Sequence, residues 1–176
     1  MTTEQKVIGG IGLVTLLIIG GGLYFSSKGE NEYKNRLTKP MMGEKIPDLG
    51  GEHVPRGTKH GVYNSNPPTS GPHWVDTAGG GVKYDPTPDE LLLHSMEHGA
   101  VVVWYKEGLD QAEINKIKEA YDSASGKKIM ISRKDLDVPV ALTSWGYLLK
   151  LQTVDQAKIK EFIETNNDRG PEQAPI

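Results

Sequence analysis

The sequence contains no cysteine, and this absence excludes disulfide bonds, cysteine-ligated zinc or iron–sulfur centres and thiol catalysis. A metal site in this chain can use only histidine, aspartate, glutamate or methionine. The chain also lacks an excess of positive charge, because its formal net charge is −3. Without a basic field to attract phosphates, nucleic acid is not expected as a partner. The 176 residues suffice for one domain with appendages.

Long hydrophobic runs are scarce, and the longest one covers residues 7–25. A helix of that length spans close to the roughly 30 Å of hydrocarbon in a bilayer, so the run predicts one transmembrane helix. A cleaved signal peptide is the alternative, but the run is longer than a usual signal core and no small-residue cleavage site with Ala follows it. Residues 26–51 are polar, contain glycine and carry charges of both signs, which predicts a linker.

Two arguments disagree about the orientation of this predicted span in the membrane. More lysines and arginines follow residue 25 than precede residue 7, and by the positive-inside rule this favours a cytoplasmic C-terminal domain. The rule is weak here, because a long soluble domain can be translocated regardless of its flanking charge. We predict an extracytoplasmic domain, on the family resemblance given below.

Residues 52–172 predict a single small α+β domain. Its first part, to residue 88, is a long loop region rich in Gly and Pro. Two or three helices and a mixed sheet follow. The predicted strands cover residues 100–105, 128–132 and 140–151, the last with a turn or bulge at Gly146.

Three polar residues predict the helix starts in this part. Thr87, followed by Pro88, is expected to cap a helix that ends near His98. Asp110 and Asp155 are expected to cap the next two helices.

The segment HSMEH at residues 94–98 carries the first candidate chemistry. On a helix, His94 and His98 lie one turn apart on the same face, where two imidazoles can bind one metal ion. Met96 lies on another face and is expected in the core. Glu97 and Glu90 flank the pair, and either can orient an imidazole by a hydrogen bond. A lone pair of this kind is also compatible with two polar residues on an exposed helix face.

A third and a fourth histidine extend this hypothesis. His73 ends the segment NPPTSGPH, whose three prolines make it stiff and unsuited to a helix or a central strand. With His94 and His98 it would make an open site of three nitrogens that suits Zn or Cu(II), and His53 is the natural fourth ligand. His60 is expected to be solvated. The alternative for the Pro-rich segment is a structural loop or a partner-binding stretch.

The chain also resembles a known family, the domain of unknown function numbered 3105. The resemblance rests on a His-Val pair at 53–54, YNSNPPTSGPH at 63–73, HSMEHG at 94–99, VVVWY at 101–105, LTSWG at 142–146 and GPE at 170–172. It implies a bacterial or archaeal protein with one N-terminal membrane span and an extracytoplasmic domain. It implies no activity, so the metal hypothesis comes from residue types and spacing alone.

Three functions are therefore compared. The first is a membrane-anchored extracytoplasmic domain that binds Cu or Zn. The second is a small zinc hydrolase, because HSMEH fits the His-x-x-Glu-His pattern, with Glu97 as general base and Glu172 as a distant third ligand.

The third is a metal-free, membrane-tethered interaction module, in which the histidines bond backbone carbonyls and Trp74, Trp104 and Trp145 form core or a docking patch. Convergence of the nitrogens of His73, His94 and His98 favours metal, and scattered rings favour the interaction module.

Overall fold

The computed structural model describes the backbone of residues 3–176 and the side chains of residues 15–31 and 34–176. The chain divides into two compact units, Met1–Pro40 and Met41–Ile176. In the first unit, the helix α1 covers Thr3–Thr38. This helix contains the first thirteen residues of the predicted linker, and residues 41–51 of that segment belong to the second unit.

The transmembrane helix predicted at residues 7–25 needs correction. In the part of the chain that the structure describes, no helix is long and apolar enough to cross a membrane. The side chains of residues 7–14 lie outside that part. The described part of the apolar run, residues 15–25, has three glycines, and α1 continues from it into the charged residues Lys28 and Glu30. This part of the helix is therefore too short an apolar stretch to span a membrane. The predicted membrane partner rested on this span, and the extracytoplasmic location, which the family resemblance implied, also requires a membrane anchor; neither has support from the described helices.

The second unit is the predicted α+β domain with a mixed sheet. Within the described backbone its elements are β1 (Glu44–Lys45), β2 (Gly81–Lys83), α2 (Asp89–Glu97), β3 (Val101–Lys106), α3 (Gln111–Ser123), β4 (Lys128–Arg133), β5 (Val140–Ser144), β6 (Tyr147–Leu151) and α4 (Gln156–Asn166). The strand order is β1-β6-β5-β3-β4-β2. The pairs β3–β4 and β2–β4 are parallel, and β3–β5, β5–β6 and β1–β6 are antiparallel.

The central strand β3 separates two hydrophobic cores. Successive side chains of a strand point to opposite faces, and all of Val101–Trp104 are buried. Val101 and Val103 pack in one core with α3 and α4, and Val102 and Trp104 pack in the other with α2. The sheet therefore has helices on both faces, and the face under α2 carries the Pro-rich loop region.

The local sequence explains most element ends. The side chains of Asp110 and Asp155 accept hydrogen bonds from the backbone N–H of Ala112 and Lys158, which confirms both predicted caps. The predicted Thr87 cap is wrong: α2 begins one residue later, Pro88 takes the capping position, and the hydroxyl of Thr87 bonds the carbonyl of Asp85. β1 and β2 escaped prediction because two or three residues cannot show an alternating pattern.

Candidate metal centre

Two extended segments of the loop region place the first two histidines side by side. His53 and His73 form an isolated parallel β-bridge. The backbone N–H of Val54 donates to the carbonyl of His73 at 2.8 Å, and that of His73 donates to the carbonyl of Glu52 at 3.0 Å. These bonds bring the two imidazole centroids to 4.9 Å. The stiff Pro-rich segment thus delivers His73 to a partner that lies twenty residues earlier in the chain.

Glu97, on the last turn of α2, meets both rings. Its Oε2 atom lies 2.9 Å from Nε2 of His73 and 3.0 Å from Nε2 of His53. The carboxylate is almost fully buried. Gly51 makes room for the carboxylate, since a Cβ there would collide with Oε1 of Glu97, and Gly170 makes room for the backbone carbonyl of the same residue. A buried carboxylate is costly unless cations or hydrogen-bond donors surround it.

His94 and His98 project from the end of α2 and meet each other. Their Nε2 atoms are 3.0 Å apart. His98 Nε2 also lies 3.2 Å from Oε2 of Glu172, which the C-terminal segment supplies. The predicted placement of the two rings on one face of the helix is confirmed, and the rings meet edge-on at an interplanar angle of 81°. Neither ring is on an exposed face, because His94 is buried and His98 is half-buried.

Three of these histidines share one arrangement of their ring nitrogens. The Nδ1 atoms of His73, His94 and His98 lie 2.8, 2.7 and 2.7 Å from the backbone carbonyl oxygens of Gly71, Trp74 and Pro175. A carbonyl only accepts, so Nδ1 carries the hydrogen and donates it. Each neutral ring then presents the lone pair of Nε2 to the interior of the cluster. A carbonyl behind the ring is the usual support of a metal-binding histidine.

The electrostatics around His94 favour its neutral form. Burial lowers the pKa of His94 below its ordinary value, and the neighbouring His98, His73 and His53 lower it further, against the carbonyl of Trp74, which raises it. His94 is therefore neutral at neutral pH, which is the form that binds a metal ion. Two Nε2 lone pairs at 3.0 Å repel each other unless a proton or a metal ion lies near them.

The described residues form two groups whose ligand atoms lie within 4.8 Å of one another. We name them the inner group, which is His53, His73, His94 and Glu97, and the outer group, which is His94, His98 and Glu172. The structure therefore brings all four predicted histidines together, but it divides His73 and His98 between two groups that share His94. Both groups include carboxylates as candidate ligands, whereas the sequence had assigned Glu97 an orienting role.

Two other residues differ from expectation. Glu90, predicted to orient an imidazole of the cluster, instead accepts a hydrogen bond from Nε2 of His60 at 3.1 Å. His60 is correspondingly half-buried and not fully solvated, as it was expected to be. Glu90 lies one turn before His94, near the N-terminal end of α2, and there it faces the loop that carries His60. The cluster itself surrounds the C-terminal end of the helix.

The three tryptophans do not form a shared docking patch. Trp104 is in the core, where its Nε1 donates to the hydroxyl of Thr143 at 2.8 Å. Trp145 packs against the core and meets the ring of His73 edge-on at a centroid distance of 5.8 Å. Trp74 lies under the guanidinium of Arg56, whose central carbon is 5.0 Å from the centroid of the indole ring. Each of the three indoles therefore has a different environment.

The spacing of residues along the chain could indicate the pair His94 and His98 on α2. It could not indicate the backbone carbonyls that accept hydrogen bonds from the histidine rings. The carbonyls of Gly71, Trp74 and Pro175, which hold the rings, carry no residue-specific signal, because every residue has a carbonyl. Gly51 and Gly170 are likewise two of 21 glycines, and only the close approach to Glu97 distinguishes them.

The comparison with known proteins confirms the resemblance to a family. A family model described as "Protein of unknown function (DUF3105)" matches residues 49–175. Neither a curated protein nor a solved structure matches the chain.

Proposed function

The chain belongs to this family of proteins of unknown function, DUF3105, and we propose that its second unit binds one transition-metal ion, zinc or copper, at the inner group. The ligands are Nε2 of His53, His73 and His94 and a carboxylate oxygen of Glu97. Three nitrogens and one oxygen suit Zn or Cu(II), whereas Ca²⁺ and Mg²⁺ prefer oxygen ligands alone.

The observation that carries the proposal is the pair of acceptors around His73. Its Nδ1 faces the carbonyl of Gly71 at 2.8 Å and its Nε2 faces Oε2 of Glu97 at 2.9 Å. The lone pair of Nε2 and the carboxylate oxygen repel each other, so a proton or a metal ion has to lie between them. A dication in place of that proton keeps Nδ1 bonded and compensates the buried carboxylate.

The spacing of the ligand atoms supports the same conclusion. Bonds of about 2.0–2.1 Å at tetrahedral angles place ligand atoms about 3.3 Å apart. The Nε2 atoms of His53 and His73 already lie 3.0 and 2.9 Å from Oε2 of Glu97. Small side-chain rotations are enough to admit the ion, and the backbone bonds that hold the rings need not change.

The test is calorimetric titration of the metal-free full chain, without a histidine tag, with Zn and Cu(II). We expect about one equivalent to bind, as for other closed sites of this donor number. His94→Gln should lower the affinity, and His60→Gln is the matched control, because His60 lies in neither group. Uptake of less than about a tenth of an equivalent, or equal affinity in His94→Gln and wild type, would contradict the proposal.

A zinc hydrolase is the second candidate, because the structure brings His94, His98 and Glu172 together as that pattern requires. The contacts of Glu97 argue against it. A general base has to reach a metal-bound water, whereas Oε2 of Glu97 is engaged by two imidazoles and the carboxylate is buried. Incubation of the zinc-loaded protein with a broad peptide library should therefore give no cleavage, and chelator-sensitive cleavage would favour the hydrolase.

A further inference from the structure

We infer that the metal ion has a second position beside the first, at the outer group, and that His94 stays bound while the ion passes between the two. The outer position is the one at which the ion enters and leaves. This inference rests on the proposed function, because it needs the inner group to be the resting site.

The argument begins with the single available nitrogen of His94. Its Nδ1 donates to the carbonyl of Trp74 at 2.7 Å, so only Nε2 can bind an ion. That atom belongs to both groups. One lone pair binds one ion, so the two positions compete for His94 and cannot both have their full ligand set. An ion that moves between them exchanges the other ligands and keeps this one.

The two groups differ in ligand number and in exposure. The inner group has four ligands, and the side chains of His73 and Glu97 are 0% and 6% exposed. The outer group has three, and those of His98 and Glu172 are 12% and 49% exposed. Fewer and more exposed ligands make the outer position the weaker and faster-exchanging one. The side chain of His53 is 37% exposed, so the competing route for the ion is direct entry from solvent beside His53.

The C-terminal segment holds the outer carboxylate in place through backbone contacts. The N–H of Glu172 donates to the carbonyl of Glu97 at 3.0 Å. The carbonyl of Pro175 accepts from His98, and that of Ala174 accepts from the ammonium of Lys127 at 2.8 Å. Glu172 is thus fixed at the end of α2 although its side chain is exposed.

The experiment measures rates as well as affinity, in the full metal-free chain. Stopped-flow mixing follows zinc uptake, and a competing chelator follows its release. In Glu172→Gln and His98→Gln we expect the uptake rate and the release rate to fall by the same factor, because each variant removes a ligand of the position through which the ion passes in both directions. The equilibrium affinity should stay at the wild-type value, since the inner group keeps all of its ligands.

Glu164→Gln is the matched control, because Glu164 is a similarly exposed glutamate on α4 outside both groups. Glu172→Gln keeps the test valid if His98→Gln does not fold, since a half-exposed carboxylate is easily replaced.

Wild-type rates in Glu172→Gln would overturn the inference and leave the inner site intact. An affinity loss that accompanies the slower rates would overturn it too, by placing Glu172 in the resting site. No metal uptake by the wild type would refute the proposed function itself.

Discussion

Glu97 is the residue on which the inner group converges. Its carboxylate is buried between two imidazoles and Gly51, and Gly170 packs against its backbone carbonyl, so the position of the residue is determined by packing from several directions. A group held this firmly loses little freedom when it binds an ion, and such preorganisation favours tight binding.

Glu97→Gln should weaken zinc binding at least about tenfold, because an amide oxygen is neutral and no longer compensates the dication. Glu90→Gln is the matched control: Glu90 lies on the same helix but bonds His60. Calorimetric titration of both variants checks this. An equal loss in both would show that the effect arises from the helix as a whole.

The pair His60–Glu90 predicts a pH-dependent contribution to stability. The hydrogen bond to Glu90, and then the bond to the carbonyl of Gly61, raise the pKa of His60 above its ordinary 6.5, against the opposing effect of burial. The Tyr63 hydroxyl also faces this ring, at 3.3 Å from Nε2. Because the folded pKa exceeds the unfolded one, the stabilisation is fully present below about pH 6.5 and is lost as the pH rises through the raised value.

His60→Gln should therefore lower the free energy of unfolding more at about pH 5 than at about pH 9. Urea unfolding of the variant and the wild type at the two pH values measures the difference. A deficit that is the same at both would mean that His60 contributes only by packing.

At the scale of the elements, the end of α2 determines the geometry of the cluster. Gly99 follows the helix with a φ of +86°, and the chain turns there into β3. A Cβ on Gly99 would lie 2.7 Å from Cα of Asp168, so this glycine also allows the C-terminal segment to approach. The same few residues thus end the helix and place Glu172 next to His98.

Gly99→Ala should destabilise the protein by at least about 1 kcal/mol more than Gly146→Ala. Both glycines have a positive φ, but nothing lies within 4 Å of a Cβ at Gly146, so that control carries the backbone strain without the collision. Urea unfolding of the two variants compares them. Equal losses would show that the tail moves aside freely.

At the scale of the whole molecule, the inner group connects parts of the chain that are far apart in sequence. The bonds of Glu97 to His73 and His53 span 24 and 44 residues, and that of His98 to Pro175 spans 77. An ion bound there joins the loop region to α2, so it stabilises the folded state and not the unfolded chain.

Zinc at about one hundred times its dissociation constant should stabilise the fold by about 2.7 kcal/mol. For a domain of this size that raises the Tm by about 8 °C, at about 3 °C per kcal/mol. Thermal unfolding with zinc, and with magnesium as the control ion, measures the shift. The same shift in Glu97→Gln would place the ion elsewhere.

The sequence by itself determined the features that depend on neighbours along the chain. The caps at Asp110 and Asp155, the strands around residues 100–151 and the placement of His94 and His98 on one helix face follow from interactions within a few residues. The apolar run at 7–25 shows the limit of such reasoning, since a hydrophobic pattern predicted a span that the described part of the helix does not support.

Only the tertiary structure decided which of these side chains meet. Glu90 and Glu97 are both glutamates of one helix, yet one faces His60 and the other faces His53 and His73. That choice depends on how the loop region and the C-terminal segment pack against the two ends of α2. Contacts across tens of residues are selected by the burial and hydrogen bonding of the entire fold, and no local pattern in the chain records them.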